Sequence, residues 1–535
     1  MVAAPISANP LKLDVRSHLK CLAICVVATL STFQYGLDYA LVGGFLSMPG
    51  FLEVFGYYSE DLQKWNIDAT VQQLISSLMT IGTFVSSLLV GPFSARFGRR
   101  HGLWAATILN FIATSIQLGT TTKAALYVAR LILGKLRISV GWFLTFAQLY
   151  IHEAAPAHLR GIVFAVYQSM LSIGSIVGAS IDFGTHTMDG RQAYQIPLAI
   201  FFVAPALQAV LLFVVAPESP RWLMVQRKED HAERSLRRLR NSSIDELEFQ
   251  AELNEIRQST REQLEQNKKL LFLEMWRGTN LRRTLLSIAV VCFHSANGSS
   301  WVNIYTTYFL EIAGVHNPFA YSILVTCTGL IGVLVSFFFV RLIDRRMVML
   351  IGITACGICQ LIPAIAWSAN PGTESTGKVV VAFIALFTFF YVAYAPYAWL
   401  LGGEYVNNQL RAFTFGLATA MNFLGNWLGT FTAPYFINPA KLAWGPKYGY
   451  IWFGSNMICA IFTWFFLPET RDRTLEEIHE MFEARLPARK FKHYVCTGVE
   501  GYAAEAMGKD LSERKNMGQS THVEELSEAE NKSQA

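Results

Sequence analysis

Charged residues are scarce in this chain of 535 residues: 16% are Asp, Glu, Lys or Arg, whereas 52% are hydrophobic. In a soluble domain about a quarter of the residues are usually charged, because its surface needs polar side chains to face water. The composition therefore argues against a soluble protein. The charges that are present concentrate in the first 20 residues, in one central block and in about the last 50 residues.

Basic strips, metal-binding patterns and enzyme motifs are also missing. The net charge of +5 is small and dispersed, so nucleic acid is not an expected partner. Cys356 and Cys359 form a CxxC in an apolar run without a second pair or a nearby histidine, which predicts packing and neither a metal site nor a cofactor. His152 and Glu153 lack a second histidine four residues on, and no nucleophile elbow or phosphate loop appears, so we expect no enzyme.

Long apolar runs dominate the rest of the sequence. A membrane-spanning helix needs ~20 mostly apolar residues, and the first run is too long, and lacks the cleavage site, for a removable signal peptide. The sequence predicts an all-α membrane protein with twelve transmembrane helices. Their approximate ranges are 22–44, 71–92, 102–121, 124–150, 162–183, 196–216, 284–310, 320–340, 347–367, 379–400, 413–436 and 449–467.

Two polar regions divide the chain. Residues 218–283 alternate acids and bases at helical spacing, with Leu and Ile on one face, which predicts short solvated helices. The residues from about 485 onward are rich in Glu, Ser, Lys and Asn, which predicts a disordered tail. The predicted parts are an N-terminal segment 1–21, a six-helix bundle 22–217, a helical linker 218–283, a second six-helix bundle 284–484 and a tail 485–535.

The charges of the short loops predict the orientation in the membrane. The second loop carries three arginines without an acid, and the eighth carries three arginines and one aspartate. The first loop is acidic instead, with one lysine among four carboxylates. Because positive loops face the cytosol, we expect both termini and the central block to be cytosolic.

An internal repeat relates the two halves. Arg160 follows Glu153 at the same spacing as Arg411 follows Glu404, and a PE pair follows each of these acids at a second shared spacing. The GRR after the second run has a counterpart in the DRR after the eighth. Matched spacings of this kind predict a duplicated six-helix unit. Two such units with a site between them near the midplane are the plan of an alternating-access transporter.

These motifs resemble those of the sugar porter family of the major facilitator superfamily. The resemblance rests on GPFSARFGRR, PESPRWL, the DRR motif and PETRDRTLEEI, and it extends over about residues 20 to 485. It implies a pseudo-symmetric major facilitator fold, a sugar-like or polyol-like solute, a proton and the lipid bilayer as partners, and the plasma membrane as the location.

The resemblance also implies a cytosolic gate made of ion pairs that loosen during transport. The alternative is that these charges only orient the protein and cap helices. The gate residues would be Arg96, Arg99, Arg100, Glu153, Arg160, Glu218, Asp344, Arg345, Arg346, Glu404, Arg411 and Glu469.

Asp38 and Arg130 are candidates for proton coupling. A carboxylate inside a spanning helix costs ~2.5–3.5 kcal/mol, so it indicates a function by default. The two residues resemble the Asp–Arg pair of proton-coupled sugar porters, in which protonation of the carboxylate releases the arginine. A static ion pair, or an Asp close to the outer water boundary, is the alternative.

Polar and aromatic residues of several spans match solute-binding positions of the family. Gln168 follows Arg160 at the family's spacing, and its amide suits hydroxyl groups; Trp399 could stack on an apolar sugar face. Each amide could instead join two helices, and a lone His is usually structural. The predicted solute contacts are Gln168, His294, Asn297, Asn303, Tyr305, Trp399, Asn422 and Asn426.

The chain departs from the family pattern in the seventh span. Alignment on Gly298 places His294 and Ser295 where the family has two glutamines, and Ser300 where it has an asparagine. The hydrogen-bond pattern is therefore not that of a typical hexose porter. Ala95 also replaces the usual Asp of GPFSARFGRR.

Three residues of the fourth span, 135–137, exceed the family's spacing and include two cations. Three extra residues rotate a helix by ~300° and lengthen it by ~4.5 Å. Either a local bulge or an error in the gene model accounts for them.

Three functions fit these observations. The first is a secondary transporter of a sugar-like or polyol-like solute that works by proton symport. The second is an exporter of a hydroxylated specialised metabolite on the same fold, because fold does not fix substrate. The third, a transporter-like nutrient sensor, is less favoured because the tail is only about 50 residues long.

Overall fold

The structure is a computed structural model. It describes residues 19–60, 64–122, 138–155, 160–188, 190–240, 246–266, 272–339, 343–406, 410–471, 473 and 475–494. Within these ranges the chain is almost entirely helical, with one antiparallel hairpin of strands β1 (Tyr57–Ser59) and β2 (Lys64–Asn66). The predicted tail from about 485 lies mostly outside the described residues.

The first half contains six membrane crossings. Its helices are α1 (Leu19–Phe45), a short α2 (Pro49–Phe55), α3 (Ala69–Phe97), α4 (Arg99–Gly119), α5 (Ile138–Ala154), α6 (Arg160–Thr185), α7 (Gln192–Ile200) and α8 (Val203–Val214). Helices α7 and α8 together form the sixth crossing. The fourth crossing is described only from Ile138, so residues 135–137 and Arg130 lie outside the described residues.

The second half repeats this arrangement. Its helices are α12 (Gly278–Ala296), α13 (Ser299–Ile312), α14 (Pro318–Phe339), α15 (Arg345–Ala369), α16 (Glu374–Glu404), α17 (Arg411–Ile437) and α18 (Gly449–Phe466), followed by α19 (Leu475–Glu483). Helices α12 and α13 share the seventh crossing. Across the described residues of both halves, eight helices or helix pairs are long and apolar enough to span a membrane by length and composition.

The seventh crossing is broken, whereas the sequence predicted one continuous run over 284–310. Helix α12 ends at Ala296 and α13 begins at Ser299, with Asn297 and Gly298 between them. Gly298 has a φ of +85°, a left-handed conformation that glycine adopts without steric cost. Residues 294–300, at the break, read HSANGSS and are the most polar part of the run. Polar residues also occur within the unbroken α3, so this stretch alone did not predict an interruption.

The linker contains α9 (Pro220–Val225), α10 (Glu229–Leu239) and α11 (Glu246–Gln266). Their apolar faces form a small core that includes Trp222, Leu236 and Leu253. The linker is attached to the first half, because Trp222 Nε1 donates to Ala95 O at 3.1 Å and Arg240 Nη1 donates to Ala154 O at 3.1 Å. We call the side of the protein on which α9–α11 lie the linker side, and the opposite side the far side.

The two halves contact each other at the far side. Asn438, at the end of α17, donates through Nδ2 to Ile67 O at 3.0 Å and to Gln72 Oε1 at 3.3 Å. The His186 ring, just after α6, stacks on Phe319 of α14 with centroids 4.5 Å apart. The structure is therefore a conformation in which the far side is closed.

Candidate functional site

The break between α12 and α13 is held open by Asn297. Its Oδ1 accepts from Ser299 N at 2.7 Å and its Nδ2 donates to Tyr394 Oη at 2.5 Å. Its carbonyl oxygen accepts from Gln360 Nε2 at 2.7 Å and from Asn456 Nδ2 at 3.2 Å. Both polar atoms of the Asn297 amide thus form hydrogen bonds within the protein, and a solute could bind them only by replacing these bonds.

His294 lies one turn before the break and faces α16. Its Nε2 is 2.7 Å from Tyr391 Oη, and its ring lies 5.8 Å from that of Trp399. The other ring nitrogen, Nδ1, is buried and has no hydrogen-bond partner among the described residues. A half-buried indole beside an unused imidazole nitrogen presents an apolar face next to a polar atom, as a sugar ring requires.

Helix α17 brings a face of small and amide residues against the same break. A Cβ placed on Gly425 would lie 2.5 Å from Ser295 Oγ, and one on Gly429 would lie 2.7 Å from Ser300 Oγ. Asn422, one turn before Gly425, is 0% exposed. Neither its Oδ1 nor its Nδ2 has a partner within the described parts of the chain, and Ser300 Oγ is in the same condition.

Unpaired buried polar atoms of this kind are rare and need an explanation. Four of them belong to His294 of α12, Ser300 of α13 and Asn422 of α17. An arriving hydroxylated ligand would satisfy them, since each hydroxyl group both donates and accepts.

The other predicted solute contacts have different surroundings. Tyr305 is completely buried and its hydroxyl donates to Thr430 O at 3.1 Å, which ties α13 to α17. Asn303 is exposed, whereas Gln168 and Asn426 are half-buried. Asp38 is 5% exposed on α1. The role of each as a solute contact stays a prediction. The proton-coupling role of Asp38 also stays a prediction, and its proposed partner Arg130 lies outside the described residues.

The charges of the first half form one network on the linker side. Arg99 Nη2 lies 2.7 Å from Glu153 Oε1, and Ser219 Oγ donates to the same carboxylate. Glu218 accepts from the backbone N–H groups of Arg99 at 2.9 Å and of Arg100 at 3.1 Å. The carboxylate therefore caps the start of α4, where unpaired N–H groups favour an anion.

The second half repeats the network residue by residue. Arg345 pairs with Glu404, and Thr470 Oγ1 donates to Glu404 Oε2 at 2.8 Å. Glu469 Oε2 accepts from Arg346 N at 2.9 Å, so it caps α15 as Glu218 caps α4. Each ion pair lies within its own half, and the two caps fit the helix-capping alternative. A gating role for these residues stays a prediction.

The remaining predicted gate residues are less completely described. Arg96 is exposed and lies over the Phe97 ring at 5.6 Å. The side chains of Arg160 and Arg411 lie outside the described residues. Asp344 pairs with Lys492 at 2.7 Å, and the hydrogen bond from that ammonium group lowers the pKa of the Asp344 carboxyl.

Several residues of the site had no signal in the sequence. Tyr391, Gln360 and Asn456 lie on three different helices, and only the tertiary fold brings them to the break. Lys492 lies in the region predicted to be disordered. In the described part of the chain, His, Cys, Asp and Glu form no group of three or more that could hold a metal ion.

Comparison with known proteins identifies the family. The family model described as "Sugar (and other) transporter" matches residues 24–482. The chain belongs to this transporter family. It is therefore an integral, multi-pass membrane protein of the major facilitator superfamily, as the sequence motifs predicted.

Similar proteins include fungal transporters and a bacterial structure. The major facilitator-type transporter ecdD of Aspergillus rugulosus is 27% identical over 490 residues, which are 89% of this chain and 90% of that one. Hexose transporter 2 of Kluyveromyces lactis is 25% identical over 502 residues, which are 91% and 87%.

The proton:xylose symporter XylE of E. coli, solved with 6-bromo-6-deoxy-D-glucose, superposes with a TM-score of 0.69 at 22% identity. The match covers 87% of this chain and 100% of that one. It shows the fold: twelve helices in two six-helix bundles.

Proposed function

We propose that this transporter moves a sugar-like or polyol-like solute by alternating access and proton symport. The observation that carries the proposal is Asn422, a fully buried amide with both polar atoms unpaired among the described residues. It lies one turn before Gly425, on the α17 face whose Gly425 and Gly429 pack against Ser295 and Ser300 at the break. A neutral amide with unused donors and acceptors suits an uncharged, hydroxyl-rich solute.

Alternating access follows from the duplicated halves. The far side is closed by Asn438 and His186, so the solute leaves toward the linker side in this conformation. Rocking of the halves would then expose the same residues to the far side. The proposal places the linker side and both termini in the cytosol of a plasma-membrane protein. The gate residues and the domain limits are those that the sequence motifs predict.

Proton coupling rests on Asp38. Its carboxylate lies inside α1 and is 5% exposed, and Arg130 is its proposed partner. Protonation of Asp38 would release Arg130 and allow the halves to move with the solute. The proton:xylose symporter with the same fold supports this mechanism.

Uptake in yeast cells without sugar transporters of their own tests the proposal. Labelled glucose, xylose and sorbitol are offered with and without a protonophore. We expect one of them to accumulate, and the protonophore to abolish accumulation but not equilibrium exchange. Asp38→Asn is expected to behave like the wild type treated with protonophore. Absence of uptake at every pH tested, with the protein present at the cell surface, would refute the proposal.

An exporter of a hydroxylated metabolite is the second candidate. Its support is the short side chains in the seventh crossing, where Ser295 and Ser300 stand in place of the larger amides of the family pattern. Efflux of a preloaded polyhydroxylated compound, together with failure of inward sugar transport, would favour the exporter.

A further inference from the structure

A second buried carboxylate, Asp182, lies near the far-side end of α6. The residue is only 2% exposed. Both carboxylate oxygens are buried and neither has a hydrogen-bond partner among the residues that the structure describes. An ionised carboxylate is strongly disfavoured in such a place, so this packing is compatible with a protonated acid.

The carboxyl group packs directly on the backbone of α1. A Cβ placed on Gly44 would lie 2.0 Å from Asp182 Oδ2, so only glycine leaves room for the acid there. The preceding residue, Gly43, packs on the other half: its Cβ would lie 2.7 Å from Ile304 O of α13. The end of α1 is thus held between Asp182 on one side and the second half on the other.

The surrounding helices offer no cation close to this carboxyl. In their described parts, α1 and α6 carry Lys20 and Arg160 at their opposite, linker-side ends, and α7 and α14 carry no charged residue. The titratable groups of the neighbouring elements are Asp38 of α1 and Glu311 of α13, and the segment after α6 carries His186, Asp189 and Arg191. His186 Nδ1 is 2.6 Å from Phe183 O, within its own segment.

We propose that Asp182 links closure of the far side to a proton, being neutral when the halves are closed and ionised when they separate. Withdrawal of α13 from Gly43 frees the end of α1, so that water reaches the carboxyl. The proton leaves to far-side water and must return from it before the halves close again. Because it returns to the same side, the ratio of protons to solute in transport is unchanged.

The inference rests on the proposed alternating access, and it does not depend on proton symport. It predicts that uptake slows as the pH of the far side rises, because reclosing waits for protonation. Asp182→Asn keeps the shape of a neutral acid and should make the closing step independent of pH. Asp38→Asn should remove accumulation and leave the pH dependence of closing in place.

Cysteine labelling measures closure without any solute. His186→Cys places a thiol at the seam with Phe319 and removes the neighbouring titratable group. We expect an impermeant maleimide to label it several-fold faster at about pH 8 than at about pH 5.5, after correction for the reactivity of an exposed control thiol. In the Asp182→Asn background the corrected rate should not change with pH. The parent without the new cysteine gives the contribution of the native thiols.

Gly44→Ala is a second variant that leaves Asp182 in place. Its methyl group displaces the carboxyl from its packed position. We expect the pH at which the labelling rate begins to rise to be lower than in the parent. The proposal is overturned if labelling keeps its pH dependence in Asp182→Asn, or if Asp38→Asn abolishes it instead. Absence of solute transport combined with pH-dependent labelling would refute the proposed function and leave the role of Asp182 intact.

Discussion

Two asparagines of the candidate site differ in how their amides are used. Asn297 has a partner for its Oδ1 and for its Nδ2, whereas Asn422 has none among the described residues. A buried amide without partners costs stability, and a paired one contributes to it by about 1 kcal/mol or more. We therefore expect the first residue to serve the fold and the second to contact a ligand.

Leucine at each position separates these roles. Asn422→Leu is expected to keep or raise the melting temperature of the purified transporter and to raise the apparent KM for solute about tenfold, since ~1–3 kcal/mol of hydrogen bonding is lost. Asn297→Leu is the matched control and should lower the melting temperature by several degrees. A drop in stability for Asn422→Leu with an unchanged KM would contradict the assignment.

Residues that carry a local pattern could be predicted from the sequence. The apolar runs and the matched Glu–Arg spacings predicted the twelve-helix fold, and the structural match confirms it. The caps formed by Glu218 and Glu469 at α4 and α15 follow from contacts between segments far apart in the chain. The unpaired oxygens of Asp182 likewise depend on packing against Gly44, which no spacing reveals.

At the scale of elements, the broken seventh crossing positions the site. The break needs a residue with positive φ, and Gly298 supplies it. It also needs space, because a Cβ on Gly298 would lie 2.8 Å from the Trp452 ring. Both requirements exclude a side chain.

Gly298→Ala should therefore displace α13 relative to α12. We expect a loss of about 1–3 kcal/mol of stability and of most transport activity, measured by thermal unfolding in detergent and by uptake. Gly416→Ala on α17 is the control, since a Cβ there meets no atom within 4 Å, and it should be neutral or slightly stabilising. Equal effects of the two substitutions would rule out a special role for the break.

At the scale of the whole molecule, the equilibrium between the far-side-closed and the far-side-open conformations depends on contacts such as those of Asn438. This side chain joins α17 to the start of α3 across the two halves. Its removal costs the closed state the hydrogen bonds to Ile67 and Gln72, whereas the local bond from Ala440 N to Asn438 Oδ1 is lost equally in both states.

Asn438→Ala should shift the population toward the far-side-open state by about 1–3 kcal/mol, a factor of roughly 5 to 150. Distances between spin labels placed on the two halves at the far side would lengthen in the variant. Asn370→Ala, at an exposed position after α15, is the control and should leave the distance distribution unchanged. A distribution for Asn438→Ala that matches the wild type would show that this contact does not hold the halves together.

The attachment of the linker to the first half has a practical consequence for imaging. Helices α9–α11 follow α3 and α5 through Trp222 and Arg240, and the outer faces of α10 and α11 are charged. An antibody fragment raised against those faces would act as a rigid fiducial on one bundle. Particles sorted by electron cryomicroscopy could then be aligned on that bundle, and the rocking angle of its counterpart read directly from the same images.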